Sequence, residues 1–482
     1  MILRHTLSYT IVKFFPAMAS MAALMVFTRL MSPDQFGEYS LTVNLATTLV
    51  AILGNFLVIG LGRFEPAANT VTEKMQLHST VIASALLLSI AVAVLTGGLG
   101  FFNILPPLSI NYYFFVVLFF VLFFALLSQK LINANLKPKA YGVSLALKNI
   151  LFLVVGTVCL LADYGVYSLL ASLAIATLFA SLPALSLWVK PNWDSFDFTV
   201  LKQLWIYGAP LTLLYLFVMI ISFSDRVFID VMLGSDSVGL YSAGYDLTQY
   251  TIAIIASIVH LAAFPIILKA YENEGEEAVR ELLSISIRIL LFIMLPVTLG
   301  FVAVKEEISE IFLGGAFSLA SISLIPILAL SVLLSTIKSY YFDYAFQITK
   351  TTWLQTIPPL LAALLNCFLN YFLILKIGII GAAYATLIAY FFYLILTVIL
   401  SKKVFKFPVF PWVFAFKVSL SSMIMMIAVS LLNSDFGLIF SLILKIFIGV
   451  VVFGACVFVF MRDDLVTLLK NAKAMKGIDN VL

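Results

Sequence analysis

The chain has 482 residues, 63% of them hydrophobic and 11% charged, with a formal net charge of +4 and a mean hydropathy of +1.13. A soluble domain carries about 25% charged residues, so this composition excludes a water-facing globular fold and leaves lipid as the solvent. The three cysteines, Cys159, Cys367 and Cys456, all lie inside apolar runs, which excludes a disulfide framework and offers no metal-ligand spacing.

Apolar runs of about 20 residues, the length needed to cross a bilayer, recur along the whole chain. Tyr112 to Leu131 reads YYFFVVLFFVLFFALLSQKL with no period of two, which predicts helices and not barrel strands. The predicted spans begin with Ile11 to Met31, Gly37 to Leu61, Thr80 to Phe102, Tyr112 to Leu131, Tyr141 to Ala162 and Val166 to Val189. A second set covers Leu204 to Phe223, Gly239 to Ile267, Leu282 to Val304, Leu319 to Tyr341, Trp353 to Leu375 and Gly378 to Leu400. Pro411 to Leu432 and Phe436 to Met461 close an all-α integral membrane protein of about fourteen helices. Arg4 precedes no cleavage site, so no removable signal peptide is read. No connection is long enough to fold as a domain, and KAYENEGEEAVREL at 268 to 281 reads as a short amphipathic helix on the membrane surface.

Charge tests the count independently. With both termini in the cytoplasm, most of the 28 basic residues fall on the cytoplasmic side. The other side receives only Arg29, Arg226, Lys305 and Lys376, while Lys148, Lys338, Lys417 and Lys445 fall within spans. An error in an early span would scramble that alternation. Trp188, Trp193, Trp205, Trp353 and Trp412 all sit at predicted cytoplasmic ends, where an amphipathic ring prefers the interface.

The chain also repeats itself. Residues 31 to 47 read MSPDQFGEYSLTVNLAT and residues 233 to 249 read LGSDSVGLYSAGYDLTQ. At one offset Asp34 matches Asp236, Gly37 matches Gly239, Tyr39-Ser40 matches Tyr241-Ser242 and Asn44 matches Asp246. A later echo pairs Gly165 with Gly378, each between a fifth and a sixth helix. Six helices per copy is an even number, so the copies run the same way through the membrane. The expected organisation is a six-helix lobe over 1–195, a second over 196–402, and two extra helices with a tail over 403–482. Parallel repeats of this kind build two-lobed transporters that rock around a central site.

FPAMASMAALMVFTRLMSPDQFGEYSL resembles the first helix pair of the polysaccharide-transport branch of the multidrug/oligosaccharidyl-lipid/polysaccharide exporter superfamily. YGAPLTLLYLFVMIISFSDRVFIDVMLGSDSVGLYSAGYDL resembles its partner in the second half. The shared elements are Pro16, Arg29, the turn around Ser32 to Phe36, and Gly37-Glu38-Tyr39. The resemblance implies a Wzx-type flippase. Such a protein carries an oligosaccharide on undecaprenyl pyrophosphate (an O-antigen, capsule or exopolysaccharide unit) from the cytoplasmic to the periplasmic leaflet of a bacterial inner membrane. It further implies a polysaccharide polymerase and a chain-length regulator as partners. The chain departs from the multidrug branch in its two extra helices, and from peptidoglycan-precursor flippases in lacking their arginine-aspartate pair in the first helix.

A hydrophilic glycan on an anionic pyrophosphate needs polar and cationic groups in an otherwise apolar bundle, and an intramembrane ionisable residue is a functional candidate by default. Arg63, in GLGRFEPA, stands where an incoming pyrophosphate would first be gripped; its other reading is a snorkelling anchor. Arg29 and Arg226 end the leading helices of the two halves, where they hold glycan, lock a gate against Asp34, Asp225 or Asp246, or form structural salt bridges. Lys148, about 10 Å into its helix, and Lys338 together suggest a basic floor for an inward-open cavity. Lys338 and Asp343 are five apart and not stacked on one α-helical face, so they need not pair with each other. Lys417 and Lys445 in the last two helices suit lipid-phosphate contact. Asp246 is the foremost candidate for Na+ or H+ coupling, with gating or helix capping as alternatives; Asp225 and Asp343 are the other carboxylates for coupling or gating. His260 reads as a satisfied polar residue. Pro16, Pro183, Pro210, Pro296 and Pro326 are predicted to interrupt helices, with Pro16 and Pro210 as hinges.

Two other classes were weighed. An ion-driven small-molecule exporter shares this architecture. A membrane enzyme such as a polymerase needs a hydrophilic loop to hold catalytic groups, and none is present; the Asp463-Asp464 dipeptide stands alone. No phosphate-cradling glycine loop points to ATP as a cofactor, and nothing points to nucleic acid.

Overall fold

The computed structural model describes residues 16, 18–102, 104, 108–349, 351, 353–432 and 437–478, with backbone alone for 262, 465 and 467–478. Every regular element among them is helical. Thirteen helices are long and apolar enough to cross a membrane, and Met18–Leu30 is a shorter apolar helix. The first predicted span lies partly outside the described residues, so Met18–Leu30 is its visible part.

The chain forms two compact units: residues 1–243 with 359–385, and residues 244–358 with 386–482.

In the first unit, α1 (Met18–Leu30) leads into α2 (Pro33–Leu53), and α3 (Asn55–Phe64) follows a break at Gly54. Then come α4 (Val71–Phe101), α5 (Tyr112–Ala134), α6 (Pro138–Leu161), α7 (Gly165–Ser181), α8 (Phe198–Leu233) and the start of α9 (Ser235–Thr248). Ser32 starts α2: its hydroxyl accepts from Gln35 N, the Gln35 side chain accepts from Ser32 N, and Pro33 occupies the first turn. Thr70 and Glu73 start α4 in the same way. The predicted span from Leu204 to Phe223 is one 36-residue helix that runs ten residues further, to the turn at Gly234. It passes through Pro210 unbroken, as α11 (Glu276–Ala303) and α13 (Gly315–Ile337) pass through Pro296 and Pro326. The prediction that these three interrupt their helices is corrected; Pro183 does lie where α7 tightens into a final 3₁₀ turn.

The second unit holds the rest of α9, α10 (Ile254–Asn273), α11, α12 (Lys305–Phe312), α13, α14 (Tyr344–Ile348), most of α16 (Ile379–Val404), α17 (Trp412–Ser430) and α18 (Leu438–Ile478). Most of α15 (Ile357–Ile377) packs with the first unit. Two π-helical turns, Gln249–Ala253 and Lys338–Phe342, interrupt the regular winding. No separate surface helix occupies 268 to 281. Gly275, at φ +88°, ends one membrane helix and starts the next, because α10 and α11 extend beyond their apolar runs.

The repeated segments meet each other inside the first unit. A Cβ on Gly37 would lie 2.0 Å from the Ser235 carbonyl oxygen, and one on Gly239 would lie 2.0 Å from that of Pro33. Ser235 occupies in the second copy the place of Pro33 in the first. The contact is therefore reciprocal, the signature of a local two-fold relation. The Ser235 hydroxyl donates to Asp34 across it. Backbone meets backbone here, so only glycine fits. The later echo holds as well: Gly165 and Gly378 both adopt left-handed φ, +68° and +62°.

A second staple closes the other end of this unit. Glu65, 3% exposed, accepts from His78 Nε2 at 2.8 Å and from Asn135 Nδ2 at 3.1 Å, with Lys74 Nζ at 3.6 Å. Val189 N donates to His78 Nδ1 at 3.0 Å. That bond requires an unprotonated Nδ1, so the neutral ring carries its proton on Nε2. The ends of α3, α4, α5 and the segment after α7 are thereby joined. Burial pushes the Glu65 carboxyl up, but the hydrogen bonds from His78 and Asn135 and the neighbouring positive charge outweigh it and hold it below the usual carboxylate range.

Two outcomes follow for the detergent-solubilised protein. Gly37→Ala and Gly239→Ala each lower thermal stability, by about 1–3 kcal/mol for overpacking, whereas Gly97→Ala, whose Cβ would meet nothing within 4 Å, is neutral or stabilising by up to about 1 kcal/mol; equal effects at all three sites would refute the contact. Because Glu65 is held low, its contribution is present above the unfolded carboxylate pKa of about 4.3 and disappears as pH falls through the lower folded value. Thermal unfolding followed against pH should show this loss on acidification in the native chain and its absence in Glu65→Gln, which should be less stable at pH 7 by about 1–3 kcal/mol.

Candidate functional site

The structure sorts the ionisable candidates by whether the protein answers their charge. Arg63 ends α3 and is exposed, and Lys148 is half-buried in α6; neither has an ion-pair or hydrogen-bond partner among the described residues. Because α6 starts at Pro138, three residues before the predicted boundary, Lys148 sits about 15 Å along the helix instead of about 10 Å.

Arg29 and Arg226 are not equivalent. Arg29 lies near the end of α1, exposed, with Nη1 donating to the Met25 carbonyl at 2.8 Å. Arg226 is 2% exposed and donates through Nε to Ser242 Oγ at 3.0 Å and through Nη1 to the Ser222 carbonyl at 2.9 Å. It does not end its helix as predicted, because α8 continues to Leu233 and leaves Asp225 and Arg226 about two turns inside it.

Asp225 is fully buried. One carboxylate oxygen accepts from the Tyr241 hydroxyl and the other from Asn370 Nδ2, both at 2.7 Å. Asn370 Nδ2 also reaches Asn366 Oδ1 at 3.1 Å, and that oxygen accepts from Ser224 Oγ at 2.7 Å. Asn370 Oδ1 is buried with no hydrogen-bond partner among the described residues. Oxygens of Asp225 on α8 and Asn366 on α15 therefore meet around Asn370 Nδ2 in a buried cluster, and carboxylate and carboxamide oxygens are the kind that take a proton or a hard cation. Asn366 and Asn370 were missed in the sequence. Their signal was there: two carboxamides four apart on one face of an apolar helix. Asp246 is half-buried on α9, and the more secluded carboxylate is Asp225.

In the second unit, Lys338 and Asp343 overturn their reading. Both are 5% exposed, and Lys338 Nζ meets Asp343 Oδ2 at 2.8 Å. On an α-helix, five residues at about 100° each would separate them widely. The turn from Lys338 to Phe342 is instead π-helical, Asp343 N bonds to the Lys338 carbonyl at 3.0 Å, and the wider turn brings the two side chains together. Lys338 Nζ also lies 4.0 Å from the Tyr393 ring centroid. Lys338 is thus no free basic floor, since its charge is answered from its own helix. His260 is satisfied as expected, with Nδ1 2.7 Å from the Tyr344 hydroxyl and its ring stacked 4.6 Å from that of Tyr340.

Lys417 and Lys445 are corrected as well. Lys417 Nζ pairs with Asp464 at 2.7 Å. Lys445 pairs with Glu307 on α12, which also accepts from Ser441. Carboxylates of the chain answer both lysines, so they tie α17 to α18 and α18 to α12 rather than presenting free charge to lipid phosphates. Of the two hinge candidates, Pro210 lies inside unbroken α8, and the Pro16 carbonyl accepts from Ser20 Oγ at 3.0 Å.

Residues 26–323, more than half of the chain, match the family described as polysaccharide biosynthesis protein. A stretch of 169 residues is 27% identical to the probable low-salt glycan biosynthesis flippase Agl15 of Haloferax volcanii, covering 35% of each protein. The chain thus spans about a third of the length of the curated relative it matches. Among solved structures, the lipid II flippase MurJ in an inward closed conformation has a TM-score of 0.81 at 18% identity, over 95% of this chain and 99% of that one. An inward-facing multidrug resistance MATE family transporter of the MOP superfamily has a TM-score of 0.67 at 13% identity, over 80% of this chain and 94% of that one. At such identities the likeness is one of fold. The chain belongs to the polysaccharide biosynthesis protein family and has the fold shared by MurJ and the MATE transporters.

Proposed function

We propose that the protein is a flippase that moves a lipid-linked oligosaccharide across a membrane by alternating access and catalyses no covalent step. The substrate is an undecaprenyl-pyrophosphate-linked repeat unit of an O-antigen, capsule or exopolysaccharide, and the membrane is a bacterial inner membrane with both chain termini in the cytoplasm. The observation that carries this reading is the pair of unanswered cations Arg63 and Lys148, in a chain that pairs or hydrogen-bonds Arg226, Lys338, Lys417 and Lys445 within itself. A bundle that answers these four within itself and leaves Arg63 and Lys148 without a partner among the described residues is suited to an anionic cargo. The likeness to the probable glycan biosynthesis flippase Agl15 supports this reading.

The moving halves are those of the repeat, 1–195 and 196–402, with 403–482 carried on the second. The reciprocal contact at Gly37 and Gly239 serves as the external seam, which accounts for α8 packing with the N-terminal helices. Arg29 and Arg226 flank that seam. Pro16 and Pro210 supply the bending. Asp225, with the carboxamides of Asn366 and Asn370, holds the Na+ or H+ that drives the cycle. Asp246 and Asp343 serve gating, Lys338 contacts sugar only when Asp343 releases it, and a polymerase and chain-length regulator take the exported unit.

Surface polysaccharide measured in a deletion strain tests this. Arg63→Ala and Lys148→Ala should each reduce it at least about tenfold, the loss of one charge-assisted contact, while membrane levels of the protein stay normal. Asp225→Asn should also reduce it and abolish any dependence on the ion gradient. Normal glycan from the arginine and lysine variants, or a deletion strain that is drug-sensitive with intact surface glycan, would overturn the reading.

A further inference from the structure

Gly62 stands immediately before Arg63 at the end of α3. A Cβ there would lie 2.0 Å from Lys130 Cε and 2.8 Å from Lys130 Nζ. Lys130, near the end of α5, therefore lies against the bare backbone of Gly62, with its ammonium close to the residue that precedes Arg63. Any other residue at 62 would push it away.

Neither cation is answered. Lys130 is half-buried and Arg63 exposed, and neither has an ion-pair or hydrogen-bond partner among the described residues. The carboxylate closest in sequence, Glu65, is already engaged: His78 donates to one oxygen, Asn135 donates to the other, and Lys74 stands beside it. Asn135 projects from α5, the helix that also carries Lys130. The ends of the same two helices thus hold the acid and carry the two bases. A partly buried ammonium has given up some of its hydration, so an unanswered one is unfavourable until an anion arrives.

We propose that Gly62, Arg63 and Lys130 form a binding site for a diphosphate group at the end of α3, with Arg63 and Lys130 each contacting phosphate oxygens and Gly62 setting the position of Lys130. An arginine fork and a point-charge ammonium carried by neighbouring helix ends match two linked phosphates better than a single-charge headgroup. The site rests on the flippase reading and adds to it a residue, Lys130, and a positioning glycine. The diphosphate comes either from the carrier lipid or free from solution.

The test uses the purified full-length chain in nanodiscs and measures affinity for inorganic pyrophosphate and, separately, for undecaprenyl pyrophosphate incorporated in the disc. Lys130→Ala and Gly62→Ala should each weaken binding about tenfold. Lys139→Ala, which removes an equal charge from an exposed position on the next helix, should change it less than about twofold. Gly62→Ala changes no charge, so its effect reads position alone. The clash it creates is with the end of a flexible side chain, so the fold tolerates it, and in a Lys130→Ala background it should add nothing. Loss with both probes supports a site for diphosphate from either source, and loss with the lipid alone supports the carrier as the source. Wild-type affinity in both single variants, or an equal loss of phosphatidylglycerol binding, overturns the site. A native chain that binds neither diphosphate would fail the flippase reading itself, which separates the two failures.

Discussion

A charge inside hydrocarbon must be answered, and most of this structure can be understood as the ways in which that requirement is met. Arg226 is answered by Ser242 and a carbonyl of its own helix, Asp225 by a tyrosine and an asparagine, and Lys445 by Glu307. Lys338 required a change of helical winding to reach Asp343. Each solution costs desolvation, and each fixes helices that no hydrophobic drive would hold in lipid, where tails are as apolar as leucine. Against that background, Arg63, Lys130 and Lys148 have no ion-pair or hydrogen-bond partner among the described residues.

The duplication supplies the second constraint. Two copies of one turn meet backbone to backbone at Gly37 and Gly239, and each glycine approaches the residue that occupies the equivalent place in the other copy. Yet the copies have diverged around that contact. Arg29 is exposed in the first while Arg226 is enclosed in the second, and only the second copy carries Asp225 with its carboxamide neighbours. Symmetry preserved the joint; its loss allowed one half to take on a charged interior.

Much of this was legible in the residues. The helical class came from unbroken apolar runs, and the repeat came from a handful of matched positions whose glycines proved to touch. What escaped did so for physical reasons. A π turn has no sequence signature comparable to a capping box, so the five-residue spacing of Lys338 and Asp343 gave no reason to expect the pair that forms. Helix ends in a membrane protein outrun their apolar cores, which hid the extra turns of α8 and moved Asp225 and Arg226 inward. Lys417 and Lys445 were judged by their own helices, and their partners lie far away in sequence. Lys130 carries no mark in the sequence, because nothing in a one-dimensional pattern shows which side chain a distant glycine makes room for.

The two π turns also bear on how this chain should be compared with its kin. Each wide turn accommodates one residue more than regular winding would, so it behaves as a one-residue insertion spread over a few positions. An alignment that forbids a gap across 338–342 will slide the remainder of that helix by one step and pair Asp343 with a position facing another way. Two homologues could then share this lysine–aspartate bridge and appear in a column-by-column comparison to have lost it.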